Sequence, residues 1–248
     1  VTVILMSVIV HSAISMFMQL SENNRGAYSY SFVEVTLFAE VLKWLVSLAF
    51  FYCSSDVTEN VSWSDSLPWA LPAILYAITN NMDYLVVEYM HSAMDGQVVG
   101  SIDIVLVGVL TVVMLKRSLK MIQWLSFVLL MNGVAQCQLA RCSKGCSSLA
   151  NYHLFGVFLA LFKSFLTAFV SIYIELRMKK TAVMTFVQQN CHLYFWGVVM
   201  NVIGLLWSNA PGQSLTQTLS LAKFNKFSIF LVFSWTFLGL LTSVILRH

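Results

Sequence analysis

Ionisable and amide side chains recur inside apolar runs of this chain, and their spacing is helical. In FAEVLKWLVSL, Glu40 and Lys43 lie three residues apart on one face, with Ser47 four further on; this spacing predicts an internal ion pair. LPAILYAITNNMDYL carries Asn80, Asn81, Asp83 and Tyr84, with Glu88 just beyond it, and Asn81, Tyr84 and Glu88 form one stripe. Asp103 sits in the apolar run GSIDIVLVGVLTVVML, three residues after Gly100. The segment Gly96-Gln97-Val98-Val99-Gly100 has the small-xxx-small pattern that lets another helix approach closely, or leaves room for a ligand beside Asp103. Lys163 accompanies Ser164, Thr167, Ser171 and Glu175, which follow one another at spacings of three, four and four. Gln188, Gln189, Asn190 and His192 open another apolar run, in which Asn190, Tyr194, Gly197 and Asn201 share a stripe.

Such groups are costly in hydrocarbon and normally face a cavity or a partner, so their number points to an aqueous or ligand-binding pathway. Hydroxyls in such helices often bond only to their own backbone carbonyls, but Lys163 has no such outlet. No catalytic constellation accompanies them: there is no GxSxG elbow, no HExxH and no Gly-rich phosphate loop, so an enzyme is not expected.

The elements that must position these groups follow from composition. Of 248 residues 58% are hydrophobic and 10% charged, with mean hydropathy +0.78. Soluble domains carry about 25% charged residues, so the chain is read as an all-α integral membrane protein. Eight apolar segments are long enough to cross a core about 30 Å thick: about 1–20, 33–53, 69–90, 95–115, 120–140, 153–175, 184–207 and 227–247. The runs are continuous and lack strand alternation, which argues for helices and against a barrel. Their short connections predict one up-and-down transmembrane domain over residues 1–248, and the chain is expected to be incomplete at both ends.

Basic residues set the expected orientation. Loops after even-numbered spans and the tail hold Lys116, Arg117, Lys120, Arg177, Lys179, Lys180 and Arg247, whereas loops after odd-numbered spans hold Arg25, Arg141, Lys144, Lys223 and Lys226. The excess favours a cytosolic N-terminus, leaving the sequon Asn60-Val61-Ser62 cytosolic and without a glycan. A net charge of +3 with no basic block excludes a nucleic-acid partner. The five cysteines lack metal-site spacing, and no metal or cofactor is expected; Cys142 and Cys146 share a loop and either pair in an oxidising lumen or remain free thiols.

FAEVLKWLVSL, LPAILYAITNNMDYL, LKRSLKMIQWLSFVLLMNGVAQCQ, IYIELRMKK and FVQQNCHLYFWGVVMNVIGLL, in that order along the chain, resemble the nucleotide-sugar transporters of solute carrier family 35. The likeness is greatest to the CMP-sialic acid, UDP-galactose and UDP-N-acetylglucosamine subfamily. It implies a ten-helix drug/metabolite transporter fold of two inverted repeats, of which this chain would lack the last two helices. It further implies exchange of a cytosolic pyrimidine nucleotide-sugar for a lumenal nucleoside monophosphate by alternating access, in the Golgi or, alternatively, the endoplasmic reticulum membrane. The general logic of such folds is a midplane site at the repeat interface. The partners implied are the nucleotide-sugar, the nucleoside monophosphate and the bilayer, with a homo-oligomer left open.

The resemblance maps Glu40 and Lys43 onto the family's Ala-Glu-Val-Leu-Lys motif, Asn80 and Asn81 onto its paired asparagines, and Gln97 onto a span 4 glutamine. Glu175 falls on its Tyr-x-Glu motif, Asn190 and Tyr194 on span 7 polar positions, and Arg247 on a lysine. The substrate-binding candidates are therefore Lys43, Asn80, Asn81, Tyr84, Gln97, Asp103, Lys163, Asn190, Tyr194 and Arg247, with Glu40 and Lys43 as a structural pair. Three departures stand against this. The position of Asp103 carries a lysine in the family, Gly96, Gly100 and Ser101 replace aromatic and polar residues, and Lys163 replaces a small one. An anion where a phosphate-binding cation stands reverses the sign of the interaction, so Lys163 is expected either to pair with Asp103 or to take over the anion-binding role. The alternative readings are a non-transporting membrane scaffold of the same fold and a drug/metabolite-type transporter of another substrate, for which Asp83, Glu88, Asp95 and Asp103 would line an acidic pathway.

Overall fold

The computed structural model describes residues 2–21, 30–53, 63–90, 93–142, 150–180, 185–208 and 224–247, and all regular structure among them is helical. The helices are α1 (Thr2–Ser21), α2 (Phe32–Cys53), α3 (Trp63–Ser66), α4 (Ala70–Met90), α5 (Ala93–Gly100), α6 (Ile102–Leu115), α7 (Met121–Cys142), α8 (Ala150–Lys180), α9 (Phe186–Ser208) and α10 (Lys226–Arg247). A 3-10 turn, Leu67–Trp69, with proline in its first turn, joins α3 to α4. The Asn60 sequon, the Cys142–Cys146 pairing and the side chain of Arg247 lie outside the described residues.

Among the described residues five segments are long and apolar enough to cross a membrane: Phe32–Cys53, Asp95–Leu115, Leu154–Arg177, Phe186–Trp207 and Lys226–Ile245. α1 adds a shorter apolar stretch, Leu5–Met18. α4 and α7, of 21 and 22 residues, have spanning length but are not among the five. α4 is diluted by the asparagines and acids noted above, and α7 by Gln123, Asn132, Gln136 and Gln138. The chain is an all-α membrane protein.

Side chains fix several helix starts. Glu34 accepts from the Ser31 N–H (3.3 Å), Gln123 from the Lys120 N–H (2.8 Å) and Gln188 from the Thr185 N–H (2.9 Å). The Gln188 N–H returns a bond to Thr185 Oγ1 at 3.4 Å, and the Ser228 N–H donates to Asn225 Oδ1 at 2.8 Å. Each arrangement satisfies backbone donors that a helix start leaves without partners. α6 stops at Lys116, whose left-handed backbone (φ 55°, ψ 31°) ends the helix. The segment expected over residues 95–115 is the single span Asp95–Leu115, within which Ser101, with a right-handed helical backbone (φ −64°, ψ −13°), separates α5 from α6.

The chain divides into two compact units, one of Val1–Ala77 with Arg177–His248 and the other of Ile78–Leu176. In the first, α2 packs on α9 and on α10, and α1 on α10. Stacked rings of Phe17 and Phe230 (5.6 Å) join α1 to α10, and Tyr30 stacks on Phe224 at 5.7 Å. In the second, α7 packs on α5 and α6, and Val86, Met90, Val99 and Ala160 form a small apolar core linking α4, α5 and α8.

Candidate functional site

In the first unit the polar groups of α2, α9 and α10 converge on Lys43. Its ammonium pairs with Glu40 one helical turn earlier, and both side chains are 7% exposed. The same Nζ lies 5.3 Å from the centroid of the Tyr194 ring, within cation–π reach. Tyr194 is itself fixed: its hydroxyl donates to Gly239 O at 3.1 Å and lies 2.8 Å from Ser243 Oγ. Two glycines make room for the pair. A Cβ on Gly197 would lie 2.7 Å from Glu40 Oε2, and one on Gly239 would lie 2.6 Å from Lys43 Cδ. One turn along α9, Asn201 accepts from Thr36 Oγ1 (2.9 Å) and donates to Gly197 O (2.9 Å). The stripe of Asn190, Tyr194, Gly197 and Asn201 is thus buried along its length, and three of its members face α2 or α10.

Near the start of α9, His192 and Trp196 meet at Ser66. His192 Nδ1 lies 2.9 Å from Ser66 Oγ, and Trp196 Nε1 donates to Ser66 O (3.1 Å) and Oγ (3.0 Å). Ser66 is fully buried. Sequence reasoning missed this anchor, because its members are more than 120 residues apart and a serine in a polar loop carries no signal of its own.

In the second unit Lys163 on α8 pairs with Asp83 on α4 and not with Asp103, the first of the two roles the sequence left open for it. Oδ1 of Asp103 is buried and, among the described residues, has no hydrogen-bond partner. Of the two glycines flanking Gln97, Gly96 is the packing position: its added Cβ would lie 3.0 Å from Val86 Cγ1, whereas one on Gly100 would meet nothing within 4 Å. Ser164 is buried and donates to Gly100 O at 3.5 Å. Tyr84 is fully buried, Asn80 and Asn81 are half-buried and Glu88 is exposed, so the Asn81–Tyr84–Glu88 stripe does not face a single environment. Gln97 is exposed and lines an open groove of about 470 Å³ with Ser101, Leu129 and Gly133. Glu175 receives Arg117 Nη1 at 3.5 Å, and Ser171 bonds to Thr167 O of its own helix (2.9 Å).

The candidates therefore fall into two groups. Lys43, Asn190, Tyr194 and Arg247 belong to the first unit; Asn80, Asn81, Tyr84, Gln97, Asp103 and Lys163 belong to the second. Among the described residues no group of three His, Cys, Asp or Glu side chains could hold a metal ion. Each unit carries a lysine matched to a carboxylate, and in the first an aromatic ring lies beside the ammonium.

The sequence model described as "Nucleotide-sugar transporter" matches residues 1–248, the whole chain. The chain belongs to the nucleotide-sugar transporter family. A protein of Oryza sativa subsp. indica named CMP-sialic acid transporter 1 is 29% identical over 237 residues, covering 92% of this chain and 73% of the relative. The Arabidopsis thaliana protein of that name is 31% identical over 188 residues, covering 73% of this chain and 55% of the relative. A Xenopus tropicalis protein named as a probable UDP-sugar transporter is 28% identical over 231 residues, covering 90% and 68%.

Proposed function

We propose that this chain exchanges a cytosolic pyrimidine nucleotide-sugar for a lumenal nucleoside monophosphate by alternating access, in the Golgi membrane. The family match over residues 1–248 carries this reading. The names of the rice and Arabidopsis relatives favour a CMP-linked sugar, and that of the Xenopus relative a UDP-linked one. Phosphate oxygens need a cation, and the lysines of the spans answer differently to that need. Lys43 is held by Glu40, the Tyr194 ring and Gly239, so it organises α2, α9 and α10 more than it reaches for a ligand. Lys163 is half-buried and bound across helices, so releasing Asp83 frees it for an anion. Within the same unit as Lys163, Asn80, Asn81 and Gln97 supply amides for base and sugar.

The test is exchange in proteoliposomes preloaded with CMP or UMP and offered labelled CMP-sialic acid, UDP-galactose or UDP-N-acetylglucosamine. Uptake of one of these, dependent on the internal monophosphate and reduced at least about tenfold in Lys163→Ala, is expected from the loss of one charge-assisted phosphate contact. A non-transporting membrane scaffold is the second reading, favoured by the pairing of both Lys43 and Lys163 with carboxylates. Exchange of none of the three sugars would move the assignment there.

A further inference from the structure

Between Asp103 and Glu175 the sequence contains no Asp or Glu, yet the connection from α6 to α7 places Lys116, Arg117 and Lys120 within five residues. All three are exposed. Arg117 gives Nη1 to Glu175 near the end of α8 (3.5 Å), but its side chain remains 59% exposed. Among the described residues Lys116 and Lys120 pair with no carboxylate. Lys116 is also the one non-glycine residue among them with a positive φ (55°), a conformation that glycine adopts without steric cost. The turn therefore does not call for a lysine, and it leaves that side chain exposed. Beyond the turn, α7 is set against α6 by Phe127, whose ring lies over Gly108: a Cβ on that glycine would come within 2.3 Å of Phe127 Cζ. Phe127 holds Trp124 edge-on, with ring centroids 5.9 Å apart. Trp124 lies one turn after Lys120, donates its N–H to Lys120 O at 3.3 Å, and is 41% exposed. Met121, Ile122 and Leu125 around it are more exposed still. Cations at a helix end, an indole one turn in and apolar side chains beside it match the layers of a membrane–water interface.

We infer that Lys116, Arg117, Lys120 and Trp124 form a binding site for the phosphate headgroup of an anionic phospholipid, in the leaflet that meets the α6–α7 connection. Lys116 and Lys120 bring point charges to the phosphate oxygens, and Arg117 brings the guanidinium N–H groups that Glu175 does not take. Trp124, held by Phe127, sets the depth of the headgroup, and Met121, Ile122 and Leu125 offer an apolar surface to the acyl chains. Charge complementarity selects the occupant. A zwitterionic headgroup carries a cation of its own, and the carboxylate at this site, Glu175, is engaged by Arg117. A nucleotide in solution would meet the same cations, but it has nothing to place on the exposed apolar side chains beside them. The orientation expected from the basic residues puts this connection at the cytosolic leaflet, whose anionic lipids give it a negative potential.

Native mass spectrometry of the full chain, titrated in detergent with phosphatidylserine or with phosphatidylcholine of the same acyl chains, tests the site independently of transport. Phosphatidylserine should bind at least about tenfold more tightly than phosphatidylcholine, and its affinity should fall about fivefold in Lys116→Gly, about fivefold in Lys120→Ala and about 25-fold in the pair. Lys116→Gly keeps the left-handed turn, so a loss there reports charge and not folding, and Lys116→Arg should retain the affinity. Lys226→Ala, a basic change at the start of α10, should leave it unchanged. Equal binding of the two lipids, or phosphatidylserine affinity unaltered in the double variant, overturns the site. A loss in Lys226→Ala as large as in the double variant overturns it as well, since net charge and not this surface would then hold the lipid. Displacement of bound phosphatidylserine by millimolar glycerophosphoserine, the same headgroup without chains, overturns the lipid as the occupant in favour of a soluble phosphate ester.

Discussion

Lys43 and Lys163 are both matched to carboxylates, yet the matches differ in kind. Glu40 and Lys43 share one helix, and their i,i+3 spacing is visible in the sequence. The Asp83–Lys163 pair joins positions eighty residues apart, so no local spacing announces it, and the sequence reading offered Lys163 either Asp103 as a partner or an anion-binding role. Removing one member of a buried pair leaves an uncompensated charge, which costs ~3–5 kcal/mol. Lys43→Ala is therefore expected to lower thermal stability in detergent by that order, and the double change Glu40→Gln with Lys43→Met to restore most of it. If the double variant is no more stable than the single one, Glu40 and Lys43 do not act as a unit.

At the level of elements, α9 carries the polar anchors of the first unit. It meets α2 through Asn201 and Gly197, α10 through Tyr194, and the approach to α4 through His192 and Trp196. Removing the Tyr194 hydroxyl leaves Gly239 O and Ser243 Oγ short of a partner, at a cost of ~1–3 kcal/mol, less than the loss of Lys43. Tyr194→Phe should therefore unfold between the native chain and Lys43→Ala in a thermal scan, and a loss larger than that of Lys43→Ala would contradict this ranking. The sequence showed the polar stripe of α9 but not which helices it faces, because periodicity fixes a direction on a helix and not a neighbour. It did contain one signal that was passed over: the residue pairs Ser31 with Glu34, Lys120 with Gln123, Thr185 with Gln188 and Asn225 with Ser228, which mark four helix starts.

For the whole molecule, the apolar segments expected from the sequence coincide closely with helices, because runs of about twenty apolar residues have few alternatives in a bilayer. The division into two units was not legible, since it passes through the middle of α4 and close to the end of α8, where composition does not change. Orientation remains a prediction from charge. With a cytosolic N-terminus, Cys53, exposed at the end of α2, faces the cytosol. In sealed vesicles with the cytosolic face outward a membrane-impermeant maleimide should label Cys53, and glycosidase treatment should leave the mass unchanged, since a cytosolic Asn60 would carry no glycan. Labelling of Cys53 only after the vesicles are opened would reverse the orientation.

The glycines beside the Glu40–Lys43 pair bear on how inherited variants of this protein should be read. Every missense change at Gly197 or Gly239 adds at least a methyl group, within 2.7 Å of Glu40 Oε2 in one case and 2.6 Å of Lys43 Cδ in the other. Gly100 and Gly133 have nothing within 4 Å of the same added atom. A saturation-mutagenesis survey scored by surface-independent protein abundance should therefore rank alanine at 197 and 239 among depleted alleles, at a cost of ~1–3 kcal/mol, and pass alanine at 100 and 133 as near neutral. Four glycines that look alike on paper thus separate into two classes of tolerance to substitution.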